Sequence, residues 1–81
     1  KAIDYLCKAK NLFENNHDPA RESITLSYLG NVYQCLGGDE NITFAIDCLD
    51  IALQMQINIF GEEHIEVANT LYNLGNVFYD K

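Results

Sequence analysis

The sequence predicts an all-α fold of four helices, paired into antiparallel helix-turn-helix repeats that stack on one another. Three observations carry this. The phrase Thr25-Leu26-Ser27-Tyr28-Leu29-Gly30-Asn31-Val32-Tyr33 returns forty-five residues later as Thr70-Leu71-Tyr72-Asn73-Leu74-Gly75-Asn76-Val77-Phe78. A second echo sets Ala2-Ile3-Asp4-Tyr5-Leu6 with Ala9 against Ala45-Ile46-Asp47-Cys48-Leu49 with Ala52. Finally, apolar residues recur at three and four residues throughout, and nowhere with the alternation of a strand. Self-similarity at a period of about 20 to 50 residues marks a stacked-repeat architecture, in which one unit cannot bury its apolar face alone.

Each helix has its own signals. Ile3, Leu6, Ala9 and Leu12/Phe13 predict a first helix up to about Asn15, broken by Asn15-Asn16-His17-Asp18-Pro19. Asp18 can cap free N–H groups and proline suits the first helical position, so a second helix is expected from Pro19 to Leu36. Leu26, Leu29, Tyr33 and Leu36 share one face, and Gly37-Gly38 ends it. A third helix is expected over about 42–60, capped by Asn41 and closed by Gly61. Its apolar residues fall on two sides: Ile42, Ala45, Leu49, Ala52 and Leu53, then Cys48, Ile51, Met55 and Ile59. Such a helix is touched by two neighbours. The fourth begins at His64 or Ile65 and carries Val67, Leu71, Leu74 and Phe78. Glycine inside a helix costs about 1 kcal/mol against alanine, so Gly30 and Gly75, repeated at one place, predict close helix approach.

Composition narrows function. Eighty-one residues suffice for one small domain. The missing initial methionine, and apolar spacing that runs to both ends, suggest an excerpt of a longer array. A net charge of −7, with five basic residues of which three precede residue 11, argues against nucleic acid, whose backbone is gripped by clustered Lys and Arg. No unbroken apolar run approaches the roughly 18 residues of a membrane span. Cys7, Cys35 and Cys48 are odd in number and show no CxxC spacing, so buried reduced thiols and a reducing compartment are expected. Asn41-Ile42-Thr43 matches a glycosylation pattern short enough to be accidental.

Catalytic chemistry finds little support. His64 stands beside Glu62, Glu63 and Glu66 but supplies one imidazole, and His17 beside Asp18 is equally isolated; turn or capping roles are expected for both. Asp39, Asn41, Thr43, Asp47 and Asp50 mimic a calcium loop, yet Phe44 occupies the place that needs glycine. Ser23 and Ser27 have no plausible histidine partner. The expectation is a non-enzyme with no metal or cofactor.

Leu29-Gly30 with Tyr33, Leu74-Gly75 with Phe78, and the Ala45-Leu49-Ala52 and Ala2-Leu6-Ala9 sets together resemble the tetratricopeptide repeat. The stretch from Ala52-Leu53-Gln54-Met55 through Phe60-Gly61-Glu62-Glu63-His64 to Leu74 is most similar to the long repeats of kinesin light chains, with Ile65 where that family usually has proline. Ala20-Arg21-Glu22 and Tyr28-Leu29-Gly30-Asn31 are more similar to the repeats of cell-polarity scaffolds. The resemblance implies a right-handed α-solenoid. Residues 1–15 would be the second helix of one repeat, 19–60 a complete repeat, and 64–81 the first helix of a third. It also implies a concave groove lined by the first helix of each repeat, where extended peptides lie. Ser27, Tyr28, Asn31, Gln34 and Cys35 match those positions on one helix; Asn69, Tyr72, Asn73, Asn76 and Tyr79 match them on the next. Asparagine offers an acceptor and two donors to a peptide backbone, and tyrosine flat apolar area with a polar tip. Asn31 and Asn76 head this set. Ser27 and Tyr72 stand where carboxylate-gripping members carry lysine, so a carboxylate clamp is not expected. The expected role is a cytoplasmic protein–protein interaction scaffold with a protein or peptide partner, neutral or basic, with Glu22, Glu66 and Asp80 at the groove margins. An architectural spacer, sensor repeats of a signalling protein, and self-association through exposed repeat ends are the other readings.

Overall fold

A computed structural model describes residues 2–80, with the side chain of Asp80 outside the description. It is all helical: α1 (Ala2–Asn15), α2 (Pro19–Leu36), α3 (Asp39–Phe60) and α4 (Ile65–Asp80). The chain turns through three short connections into a slab of 33 × 30 × 14 Å.

The helix ends follow from local chemistry. At the end of α1 the Asp18 N–H reaches back to the Phe13 carbonyl at 2.8 Å and the His17 N–H to that of Glu14 at 3.1 Å. His17 is left-handed at φ 56°, closing the helix as glycine usually does. Asp18 Oδ1 then accepts from the Arg21 N–H at 3.2 Å and Pro19 opens α2. Gly37 and Gly38 turn the chain at φ 74° and 87° with extended ψ, a region open essentially to glycine alone. That pair lets α3 start at Asp39, earlier than the sequence reading placed it. Asn41 is therefore not its cap; it lies in the first turn and its Nδ2 donates to the Gly37 carbonyl at 2.8 Å.

Each helix packs on the next in sequence, and α2 also meets α4. So α2 and α4 lie side by side, with α1 and α3 behind them. One apolar cluster joins Ala45 and Leu49 of α3 to Leu74 and Val77 of α4. A second joins Leu26 and Leu29 of α2 to Ala52, with Ile3, Leu6 and Cys7 of α1 packed on it. Tyr33 borders both clusters and ties them into one core.

The small residues separate into two cases. A Cβ on Gly30 would lie 2.6 Å from Leu49 Cγ and 3.3 Å from the Ala45 carbonyl, so α2 and α3 approach on a glycine as expected. Gly75 has nothing within 4 Å of that point. Its repetition preserves a surface that no described residue covers.

One further expectation needs correction. Cys35 is exposed, and Cys7 and Cys48 are only half-buried, because each sits on a helix flank that no neighbouring helix fully covers. Helix α3 also has the length and composition of a membrane-crossing helix, with 22 residues and a mean hydropathy of 1.3, although Asp47 and Asp50 break its apolar run. Its Ala45, Leu49 and Ala52 pack against α2 and α4, while Phe44, Ile51 and Ile59 remain exposed. Exposed Asp47 and Asp50 sit mid-helix, where a carboxylate at a bilayer centre costs about 2.5–3.5 kcal/mol or more.

The two glycines give opposite predictions. Gly30→Ala should lower stability by about 1–3 kcal/mol through overpacking against Leu49, while Gly75→Ala should raise it by up to about 1 kcal/mol through helix propensity. Urea unfolding followed by circular dichroism reads both signs.

Candidate functional site

Side by side, α2 and α4 form a cleft of about 180 Å³, lined by Ile24, Ser27, Tyr28 and Asn31 of α2 and Glu66, Asn69, Tyr72 and Asn73 of α4. Six of the ten residues expected at a binding groove line it: Ser27, Tyr28, Asn31, Asn69, Tyr72 and Asn73. Gln34, Cys35, Asn76 and Tyr79 do not. The forty-five-residue equivalence explains this. Asn31 reaches the cleft from the flank of α2 turned toward α4, and the same flank of α4, which carries Asn76 and Tyr79, is turned onward and away from α2.

The floor of the cleft is polar and closed. Gln56 of α3 is wholly buried, as is Thr70 of α4, and Ser27 of α2 is nearly so. Thr70 Oγ1 donates a short hydrogen bond to Gln56 Oε1. With that proton committed, the Ser27 hydroxyl donates to Thr70 Oγ1 across 2.9 Å. Ser27 Oγ in turn accepts from Gln56 Nε2 at 3.3 Å, and the same nitrogen donates to the Ser23 carbonyl at 3.5 Å. The three side chains make a closed ring with one member from each of α2, α3 and α4, in which each bond polarises the next. Among the described residues no buried side-chain polar atom lacks a partner. By contrast Thr25, the counterpart of Thr70, donates to the Arg21 carbonyl of its own helix at 2.9 Å.

Gln56 and Ile24 were not singled out from the sequence. A signal existed for Gln56: it continues the row Ala45, Leu49, Ala52 at helical spacing, so a glutamine there must be buried and paired. Glu66, expected at the margin, lines the cleft at the start of α4, while Glu22 lies outside it. The Asp80 side chain lies outside the described residues. His64 Nδ1 accepts from the Glu66 N–H at 3.1 Å, and its ring stacks on Phe60 at 4.3 Å. The imidazole thus caps α4 and fixes where Glu66 enters the cleft.

Chemically the cleft offers amides, phenols and one carboxylate, with no nucleophile paired to a base. Among the described residues no three His, Cys, Asp or Glu side chains gather as a metal site. The perturbed groups lie elsewhere. Burial, reinforced by Asp47 and Cys7, pushes the Cys48 thiol above its usual range. Burial, then Cys7 and Cys48, likewise raises the Tyr33 phenol. Comparison with protein-family models, curated proteins and solved structures finds no match.

Two outcomes follow. Gln56→Leu should cost about 1–3 kcal/mol, because two buried hydroxyls lose ring partners; in a double-mutant cycle the loss should be smaller when Thr70 is already valine. For the thiols, alkylation at neutral pH read by peptide mass spectrometry should find Cys35 modified at least about ten-fold faster than Cys48, whose thiolate is scarce and half-covered.

Proposed function

We propose that this chain is a segment of a tetratricopeptide-type right-handed helical array whose α2/α4 face holds an extended peptide from a partner protein. One observation carries the reading: the facing helices put Ser27, Tyr28 and Asn31 opposite Asn69, Tyr72 and Asn73 along a single cleft. The contact order of the helices supports the array. Side-by-side α2 and α4, with α1 and α3 behind them, is the layering that stacked helix pairs produce.

The cleft suits a backbone more than a small molecule. Asparagine amides can satisfy both N–H and C=O of an extended strand whatever its sequence, and tyrosines at the rim add apolar area at low entropic cost. Glu66 is the one charged side chain in the lining, and the whole chain carries −7. The partner segment is therefore neutral or basic, with a Lys or Arg placed toward Glu66. No step of this role needs a cofactor, and it suits a reducing cytoplasmic setting in which three free thiols persist.

Peptide-display selection against the full chain tests it, with Asn31→Ala/Asn73→Ala as counter-screen. Enriched peptides should lose about ten-fold or more in affinity for the variant, the equivalent of one or two hydrogen bonds. Peptides that bind the variant equally well place recognition elsewhere, and a folded chain that enriches nothing removes the groove reading.

A further inference from the structure

The cleft between α2 and α4 differs from one end to the other. Two chain reversals leave these helices parallel, and the Ser27–Thr70 bond fixes their relative level. One helical turn before that bond, Ile24 of α2 stands opposite Glu66 of α4; one turn after it, Asn31 stands opposite Asn73. The cleft therefore has an apolar wall and a carboxylate at one end, and paired amides at the other.

Nothing in the fold accounts for the place of Glu66. It is half-buried, and among the described residues its carboxylate makes no ion pair, the pairs being Lys10–Glu14 and Arg21–Asp18. It closes no capping box, because with His64 at the cap the third helical position belongs to Val67. The helix dipole favours an anion near this end, yet exposed Glu62 and Glu63 supply that charge without entering the cleft. Arg21, the counterpart of Glu66 on α2, is turned to Asp18 at 3.7 Å and stays outside the lining.

We infer that this end of the cleft seats one unmodified lysine of the bound segment, its stem along Ile24 and its ammonium on Glu66. The inference rests on the groove reading above and names the side chain that the groove selects. An ammonium carries three N–H donors and no acceptor. The seat offers the Glu66 carboxylate, Asn69 Oδ1 and one lone pair of Ser27 Oγ, whose proton goes to Thr70 and whose other lone pair is taken by Gln56. A lysine stem lies along apolar surface while its head stays polar, which is what Ile24 beside a carboxylate provides. A backbone amine has no such stem. A guanidinium spreads five donors over a rigid plane, and those beyond the carboxylate would face Ile24 without acceptors. Acetylation removes the charge and sets a carbonyl against Glu66, so modification of that lysine releases the segment. Seating the lysine also sets the register in which Asn31 and Asn73 meet the backbone, and the chain's charge of −7 draws a cationic segment in.

Titration of the isotope-labelled full chain with N-acetylated, C-amidated hexapeptide pools, randomised except at one fixed inner position, tests this by NMR. The lysine pool should bind about ten-fold or more tighter than the Nε-acetyl-lysine pool, and about three-fold tighter than the arginine pool. It should also bind tighter than a diaminopropionate pool, which keeps the ammonium on a shorter stem. Glu66→Gln, close to isosteric and checked for folding by circular dichroism, should erase the lysine preference and leave the acetyl-lysine pool unaffected. Asn31→Ala/Asn73→Ala should instead weaken every pool alike. A lysine preference that survives Glu66→Gln, or an arginine pool that binds as tightly, overturns the lysine seat. So does equal binding by all pools that the double-alanine variant still weakens, and in that case the groove stands. A lysine-free pool with free N-termini that matches the lysine pool assigns the seat to an α-amine and likewise overturns the proposal. Binding by no pool overturns groove and seat together.

Discussion

Three helices meet on one buried amide. Gln56 closes a hydrogen-bonded ring with Ser27 and Thr70, and through it α3 sets the distance between α2 and α4. Apolar packing alone is non-directional and tolerates sliding. A ring whose every donor has one acceptor does not, since a slip of one residue would strand polar groups at about 1–3 kcal/mol each. The close approach at Gly30 acts in the same direction. Leu49 fills the space a side chain would occupy, so α2 and α3 share one register and α4 is positioned from both.

That constraint reaches the surface directly. Ser27 belongs both to the ring and to the cleft lining, next to Tyr28 and one helical turn from Ile24 and Asn31. The width of the cleft is therefore a property of the core rather than of its rim. His64 contributes at the other end, where its bond to the Glu66 N–H and its stacking on Phe60 hold the first turn of α4. The amides and phenols of the cleft stand on a rigid base, which in the proposed role lowers the ordering cost of binding an extended segment.

Much of this was legible in residue spacing, and the remainder fails for identifiable reasons. Helix number, the Asp18-Pro19 start and the close approach at Gly30 follow from periodicity and from rules that act within a few residues. The start of α3 was misplaced because two successive glycines allow a tighter turn than a capping asparagine suggests. Cys35 was misjudged because burial depends on which flank of a helix a neighbour covers. The same cause separates Asn31 from Asn76 and Gly30 from Gly75: identical local sequence meets a neighbour in one case and open space in the other. Gln56 was visible in principle, as a polar residue in an apolar row, but its two partners lie on other helices at separations of 14 and 29 residues.

Helix α4 therefore has three distinct faces. Val67, Thr70, Leu74 and Val77 are buried in the core; Glu66, Asn69, Tyr72 and Asn73 line the cleft; and Ala68, Leu71, Gly75 and Phe78 stay bare. A helix with one task needs one apolar stripe and solvated flanks. Here the second apolar stripe holds the register of the first copy, including a glycine that costs helix stability for as long as it remains uncovered. Such a cost is offset only when another helix arrives close enough to need the space. In the array we propose, the repeat carries in α4 the template for its own continuation, and the cleft on the opposite flank lengthens with each pair added.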